Sequence, residues 1–253
     1  MDPYFQIDGK KIIASPHCAG PWDPGMQHGG AVSGLIAHLV DTYPSKADLQ
    51  VSRLTIDLKR PVPMGELDFD VEVTREGRNI QTLDIAISAG GKECVRASAL
   101  RIREAEMDLP EDVAPPEWHA ERAEQRDGRF MKGFNEHVSV FNADRKPDHV
   151  RRAAWFHIGR PYLPDQPTTP LMRAAATGDY CNGVGSGLDF LKWTYINADL
   201  TLHFARRPVG EWIMLAANAW VDKNGSGVAF GELCDEKGFF GRATQSLVID
   251  KRQ

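Results

Sequence analysis

Apolar and polar residues follow two periods along this chain, and the same succession of periods occurs twice. Residues 29–43 carry Ala31, Val32, Leu35, Ile36, Leu39, Val40 and Tyr43 at helical spacing, and Pro44 marks the exit. Four segments with two-residue alternation follow, at 51–60, 66–75, 79–89 and 92–103, which predicts an antiparallel meander after the helix. Turn formers separate them at residues 61–65, at Glu76-Gly77-Arg78 and at Gly90-Gly91. A strand pair over 4–14, turning at Asp8-Gly9, precedes the helix. Ala31, Ser33, Gly34 and Ala37 lack bulk and would let the helix approach its neighbours closely, which offsets a propensity cost of roughly 1 kcal/mol for each glycine.

The second half repeats this order. Strands near 134–142 and 152–160 lead to a helix at 170–180, with Thr169 as N-cap and Pro170 in the first helical position, where no N–H is needed. The run Asn182-Gly183-Val184-Gly185-Ser186-Gly187 stops it, and strands at 193–206, 211–222, 227–235 and 239–250 complete the meander. The repetition reaches individual residues: LTIDLKRPV at 54–62 returns as LTLHFARRPV at 200–209, and Arg96-Ala97-Ser98-Ala99 returns as Arg242-Ala243-Thr244-Gln245. A unit written twice needs matched cores but only one set of reactive groups, so polar residues present in a single copy are candidates for function. Gln245 stands against Ala99. Asp179 lies nine residues after Pro170, and the same count from His28 reaches Ala37.

Between the halves the composition turns acidic and proline-bearing (EAEMDLPEDVAPPEW), which divides the chain into a domain at 1–104, a linker at 105–133 and a domain at 134–253. The 253 residues are 42% hydrophobic and 26% charged, enough for a core in each half, and the net charge of −5 argues against a general nucleic-acid partner. Cys18, Cys94, Cys181 and Cys234 are scattered, which suggests reduced thiols rather than a disulfide framework or zinc site. No signal peptide and no membrane span is read, so the expected location is the cytoplasm.

A central helix held by an antiparallel sheet, twice in one chain, resembles the α+β double hot-dog fold, two tandem helix-wrapped antiparallel sheets. Gln27-His28-Gly29-Gly30-Ala31 is similar to the His-Gly-Gly helix start of hot-dog thioesterases. Gly178-Asp179, Asn197-Ala198-Asp199-Leu200-Thr201 and Ala243-Thr244-Gln245 resemble the acyl-CoA thioesterase II family. That resemblance implies hydrolysis of an acyl-CoA to free acid and CoA, without a metal or redox cofactor, by water held between an Asp, a Thr and a Gln. Carried over by position, these are Asp179, Asn197 and Gln245; Asn at the Thr position is a departure, although an amide both donates and accepts.

Asp179 at a helix C-terminus opposes the helix dipole, which favours a functional reason for it. Alternation puts Gln245 with Ala243, Leu247 and Ile249 on an apolar face, where an amide needs partners. Gly29 and Gly30 would offer amides to an oxyanion, with His28 in support. Lys59-Arg60 and Arg206-Arg207 are candidates for the CoA phosphates, and Trp22, Trp155, Phe156, Phe190 and Trp193 for the acyl wall. Two other readings stay open: a hot-dog enoyl-CoA hydratase or dehydratase, which would pair Asp and His on one helix, and a non-catalytic acyl-CoA binding protein. Exposed sheet edges lead us to expect a homo-oligomer.

Overall fold

The computed structural model describes residues 1–110, 113, 118–126 and 132–252, and in it fourteen strands join in one antiparallel sheet. The hairpin β1 (Phe5–Asp8) and β2 (Lys11–Ala14) turns through Gly9 at φ 57°. Helix α1 (Gly29–Asp41) is followed by β3 (Leu49–Leu58), β4 (Gly65–Glu76), β5 (Ile80–Ala89) and β6 (Lys92–Arg103). The second half begins with β7 (Arg122–Gln125), β8 (Val138–Ala143) and β9 (Arg152–Ile158), then α2 (Pro170–Gly178) and a short α3 (Cys181–Gly185). It ends with β10 (Trp193–Asn197), β11 (Asp199–Phe204), β12 (Trp212–Val221), β13 (Ser226–Asp235) and β14 (Gly238–Lys251).

The strand order is β1-β2-β4-β5-β6-β3-β11-β14-β13-β12-β9-β8-β7, with β10 also on β14. The halves therefore meet edge to edge at β3 and β11, the two strands that carry the sequence repeat. Thr55 pairs with Thr201, Leu54 with Leu202 and Ile56 with Leu200, a register symmetric under exchange of the two copies. This is the double hot-dog arrangement expected from the repeat.

One apolar core runs through both halves and includes the buried faces of α1 and α2. The helices lie antiparallel, with Gly29 against Asp179 and Ser33 against Ala175, and small residues let them touch: Ser33 Oγ donates to Ala175 O at 3.1 Å, while Tyr162, in the segment before α2, donates from its hydroxyl to Gly30 O at 2.8 Å. A Cβ on Gly34 would stand 2.3 Å from the Tyr162 ring, so the glycine cost predicted from propensity is offset by close packing. Thr169 caps α2 as expected, its hydroxyl accepting from Met172 N. Among the described residues no helix is long and apolar enough to cross a membrane.

Four expectations need revision. The glycine-rich run read as the stop of the second helix lies largely in α3, α2 having already ended at Gly178, and residues 133–137, at the start of the strand expected near 134–142, form a 3₁₀ turn before β8. Within the stretch read as linker, residues 122–125 form β7 and pair with β8, while residues 111–112, 114–117 and 127–131 lie outside the described residues. The strand expected at 193–206 is broken at Ala198. Against β14, Asn197 pairs with Leu247 but Thr201 with Thr244, a slip of one residue. Such a slip exchanges the two faces of a strand. Tyr195 and Asn197 are consequently buried before the break, and Leu200, Leu202 and Phe204 after it.

Candidate active site

The break at Ala198 turns Asn197 toward the C-terminus of α2, where Asp179 is the C-cap residue and only 5% exposed. Asn197 Nδ2 donates to Asp179 Oδ1 at 3.0 Å and to Asp199 O at 3.3 Å. Both partners are acceptors, which fixes the amide orientation; Asn197 Oδ1 has no donor among the described residues, and Asn197 and Asp179 both line the cavity.

The other carboxylate oxygen faces α1. Asp179 Oδ2 lies 3.1 Å from His28 Nδ1, and Gly29 gives the carboxylate room: a Cβ there would fall 2.3 Å from Asp179 Oδ1. The sequence places Asp179 at the unfavourable end of its own helix, but the antiparallel packing sets it at the favourable, positive end of α1.

His28 caps α1, its Nδ1 accepting from Gly30 N at 2.9 Å. One ring nitrogen has one in-plane site, so Nδ1 accepts from Gly30 or donates to Asp179, but not both. The two helix-start glycines thus differ: Gly30 N–H is engaged by the cap, whereas Gly29 lines the cavity and nothing among the described residues accepts from its amide.

Gln245 is brought to Asp179, but not as a wall of the cavity. Its Nε2 donates to Asp179 O and its Oε1 accepts from Asn182 N, both at 2.9 Å, and it is 1% exposed. The side chain clamps the joint between α2 and α3, instead of facing the cavity as the resemblance implies. Removing it leaves two buried backbone groups without partners. Gln245→Ala should therefore lower unfolding stability by about 1–3 kcal/mol and also reduce turnover, as read by denaturant titration and thiol release.

The cavity holds about 750 Å³. Its mouth is bordered by Arg60 and by the exposed cross-strand neighbours Ile196 and Val248; Val32, Val138, Phe156 and Val184 wall its interior. Of the aromatics named from sequence, Trp22, Phe156 and Phe190 line it. Trp155 points to the opposite face of β9, into a separate small core with Met214 and Cys234, as alternation requires. Trp193 lies outside the cavity wall, under Lys251. The basic candidates also separate. Lys59 pairs with Glu93, Arg206 forks onto buried Asp235, and Arg207 contacts Asp41, Asp48 and Glu104, so Arg60 alone of the four reaches the cavity.

Burial raises the pKa of the Tyr180 hydroxyl and the Cys181 thiol well above their ordinary values, with Asp179 adding to both. Neither forms an anion that would compete with the carboxylate. In the first half the bulge recurs at Ser52, yet it turns Val51 inward where the second half has Asn197. Ala99 stands where Gln245 does. Counting from the observed caps, His28 and Thr169, the counterpart of Asp179 is His38 and not Ala37. Burial lowers the His38 pKa and keeps the ring neutral at neutral pH. Sequence reasoning missed the His28–Asp179 contact and the clamp by Gln245, because each depends on pairing between distant segments.

Comparison with known proteins accords with this arrangement. The acyl-CoA thioesterase N-terminal domain profile matches residues 18–102, and the acyl-CoA thioesterase C-terminal domain profile matches residues 110–249. No curated protein matches in sequence. Among solved structures, a hot-dog protein of Alicyclobacillus acidocaldarius is 14% identical with a TM-score of 0.73, covering 98% of this chain and 96% of that one. Acyl-CoA thioesterase II TesB2 of Mycobacterium marinum is 17% identical, TM-score 0.68, covering 98% and 94%. The tesB protein of Mycobacterium avium subspecies paratuberculosis is 14% identical, TM-score 0.64, covering 97% and 96%. Identities this low carry the fold, and the two profiles carry the family: the chain belongs to the acyl-CoA thioesterases.

Proposed function

We propose that this protein hydrolyses an acyl-CoA thioester to a free acid and CoA at one site per chain, with Asp179 activating water. The observation that carries the proposal is a buried carboxylate on the wall of an apolar cavity, held by an amide and set at a helix N-terminus. A water there donates one hydrogen to Asp179 and the other to Asn197 Oδ1. Asp179 takes the first proton as the water oxygen bonds to the thioester carbon. The developing oxyanion is stabilised by the Gly29 amide and the positive end of α1. Collapse of the intermediate restores the carbonyl and breaks the carbon–sulfur bond, and the proton held by Asp179 passes to the departing CoA sulfur. Asn thus replaces the family Thr by offering an acceptor. Free-thiol release from a panel of acyl-CoAs tests the proposal; tight binding without thiol release from any of them would leave a binding protein.

One observation favours a second reading. His28 and Asp179 come together from two helices, so an acid–base pair exists although neither helix carries it alone. Such a pair could add water to an enoyl-CoA. Following enoyl absorbance beside thiol release separates the two, since hydration removes the double bond and leaves the thioester intact.

A further inference from the structure

One end of the cavity is lined by half-buried Arg126, which no carboxylate meets among the described residues, and exposed Arg152 lies nearby. Alternation puts Val138, Val140 and Asn142 of β8 on the helix-facing side of the sheet, and Arg152, Ala154 and Phe156 on the same side of β9, with Asn142 opposite Ala154. Arg152 Nη1 donates to Ser186 O at the end of α3. Arg126 comes to the same end from beyond β7. Its backbone N–H donates to Val140 O at 2.8 Å and its Nε to Asn142 Oδ1 at 2.7 Å, and the residue lines the cavity. Among the described residues no carboxylate pairs with either guanidinium, and no partner engages the terminal nitrogens of Arg126. Burial and then the Arg152 charge lower the Arg126 pKa. A half-buried guanidinium with no counter-ion among the described residues is costly, and an incoming anion offsets that cost.

We propose that Arg126 receives a carboxylate at the far end of the acyl chain, making CoA thioesters of dicarboxylic acids the favoured substrate class. This inference rests on the acyl-CoA reading of the cavity. The path between Asp179 and Arg126 runs past Val138, Phe156 and Val184, each 2% exposed, which suits methylene groups. The opposite end, with exposed Ile196, Val248 and Arg60, suits the CoA portion. A guanidinium presenting two parallel N–H groups matches a carboxylate in shape as well as charge.

CoA also carries anions, as phosphates, and the test separates the two sources. Binding to the full chain is measured by calorimetry with non-hydrolysable alkyl-CoA and ω-carboxyalkyl-CoA thioethers of matched, increasing length, and with desulfo-CoA. We expect the carboxylated analogue of the best-fitting length to bind roughly 10- to 100-fold more tightly than its alkyl partner. Arg126→Gln should bring that ratio close to one, and Arg126→Lys should retain part of it. A wild-type ratio of one or less overturns the proposal, and this readout needs no folded variant. Equal weakening of both analogues and desulfo-CoA by Arg126→Gln also overturns it, because Arg126 would then contact CoA phosphate. Absence of thiol release from every thioester, with the carboxylate preference intact, would remove the hydrolase reading while supporting the subsite.

Discussion

Asp179→Asn should reduce thiol release by roughly 10²–10⁴-fold while acyl-CoA binding persists. The replacement amide has the same shape and can still accept from Asn197 Nδ2 through its oxygen, so the cavity wall and the α2–α3 joint are kept. What is lost is the carboxylate that takes the proton from water, and Tyr180 and Cys181, held protonated by burial, do not replace it. The first half offers no matching site, because apolar Val51 and Ala99 stand where Asn197 and Gln245 do and burial lowers the His38 pKa, making its ring a weaker base. Steady-state thiol release, together with calorimetric titration of a non-hydrolysable analogue, reads both quantities. Near-normal turnover with unchanged binding would return Asp179 to a structural role.

Gly29→Ala should be nearly as damaging, although it removes no functional atom. The added methyl would fall 2.3 Å from Asp179 Oδ1 and 2.8 Å from Oδ2, and it is fixed to the backbone of a well-packed helix. The carboxylate must move, which breaks its bond from Asn197 or its approach to His28. A misplacement of about 1 Å at a reacting group costs on the order of 10²-fold in rate, and overpacking of this kind costs about 1–3 kcal/mol in stability. Reduced turnover with a folded, ligand-binding chain is the expected result from thiol release and thermal unfolding. Full activity would show that the contact between the α1 start and Asp179 is dispensable.

The fold was legible in the sequence because its main contacts follow local periodicity. Alternation over 79–89 and 92–103, the 3.6-residue period from Ala31 to Val40 and the Thr169-Pro170 start all name elements found within a few residues of expectation. The repeat at 54–62 and 200–209 showed the duplication but not the joint; that the strands carrying it pair with each other is visible only in the fold. The site was legible in its members more than in its geometry. Asp179 stood out as an acid at the wrong end of a helix, but the charge that favours it belongs to α1, 150 residues earlier in the chain. Gln245 was placed on the correct face of β14, yet its partners are backbone groups of Asp179 and Asn182 that only the packed helix pair presents. The slip at Ala198 could not be read from alternation across 193–206, because a bulge is defined by the neighbouring strand. Counting from Pro170 and His28 missed the first-half counterpart by one residue, since the true caps are Thr169 and His28.

The central claim is that one carboxylate in the second half turns a bound acyl-CoA into a hydrolysed one. A single-turnover experiment in ¹⁸O-labelled water, with enzyme in excess over acyl-CoA, tests it most directly. The account predicts one thiol released per acyl-CoA bound, one binding site per chain and one solvent oxygen in the free acid within that first turnover. Binding of acyl-CoA with no thiol released, or a first turnover whose acid oxygen comes from Asp179 instead of solvent, would contradict it.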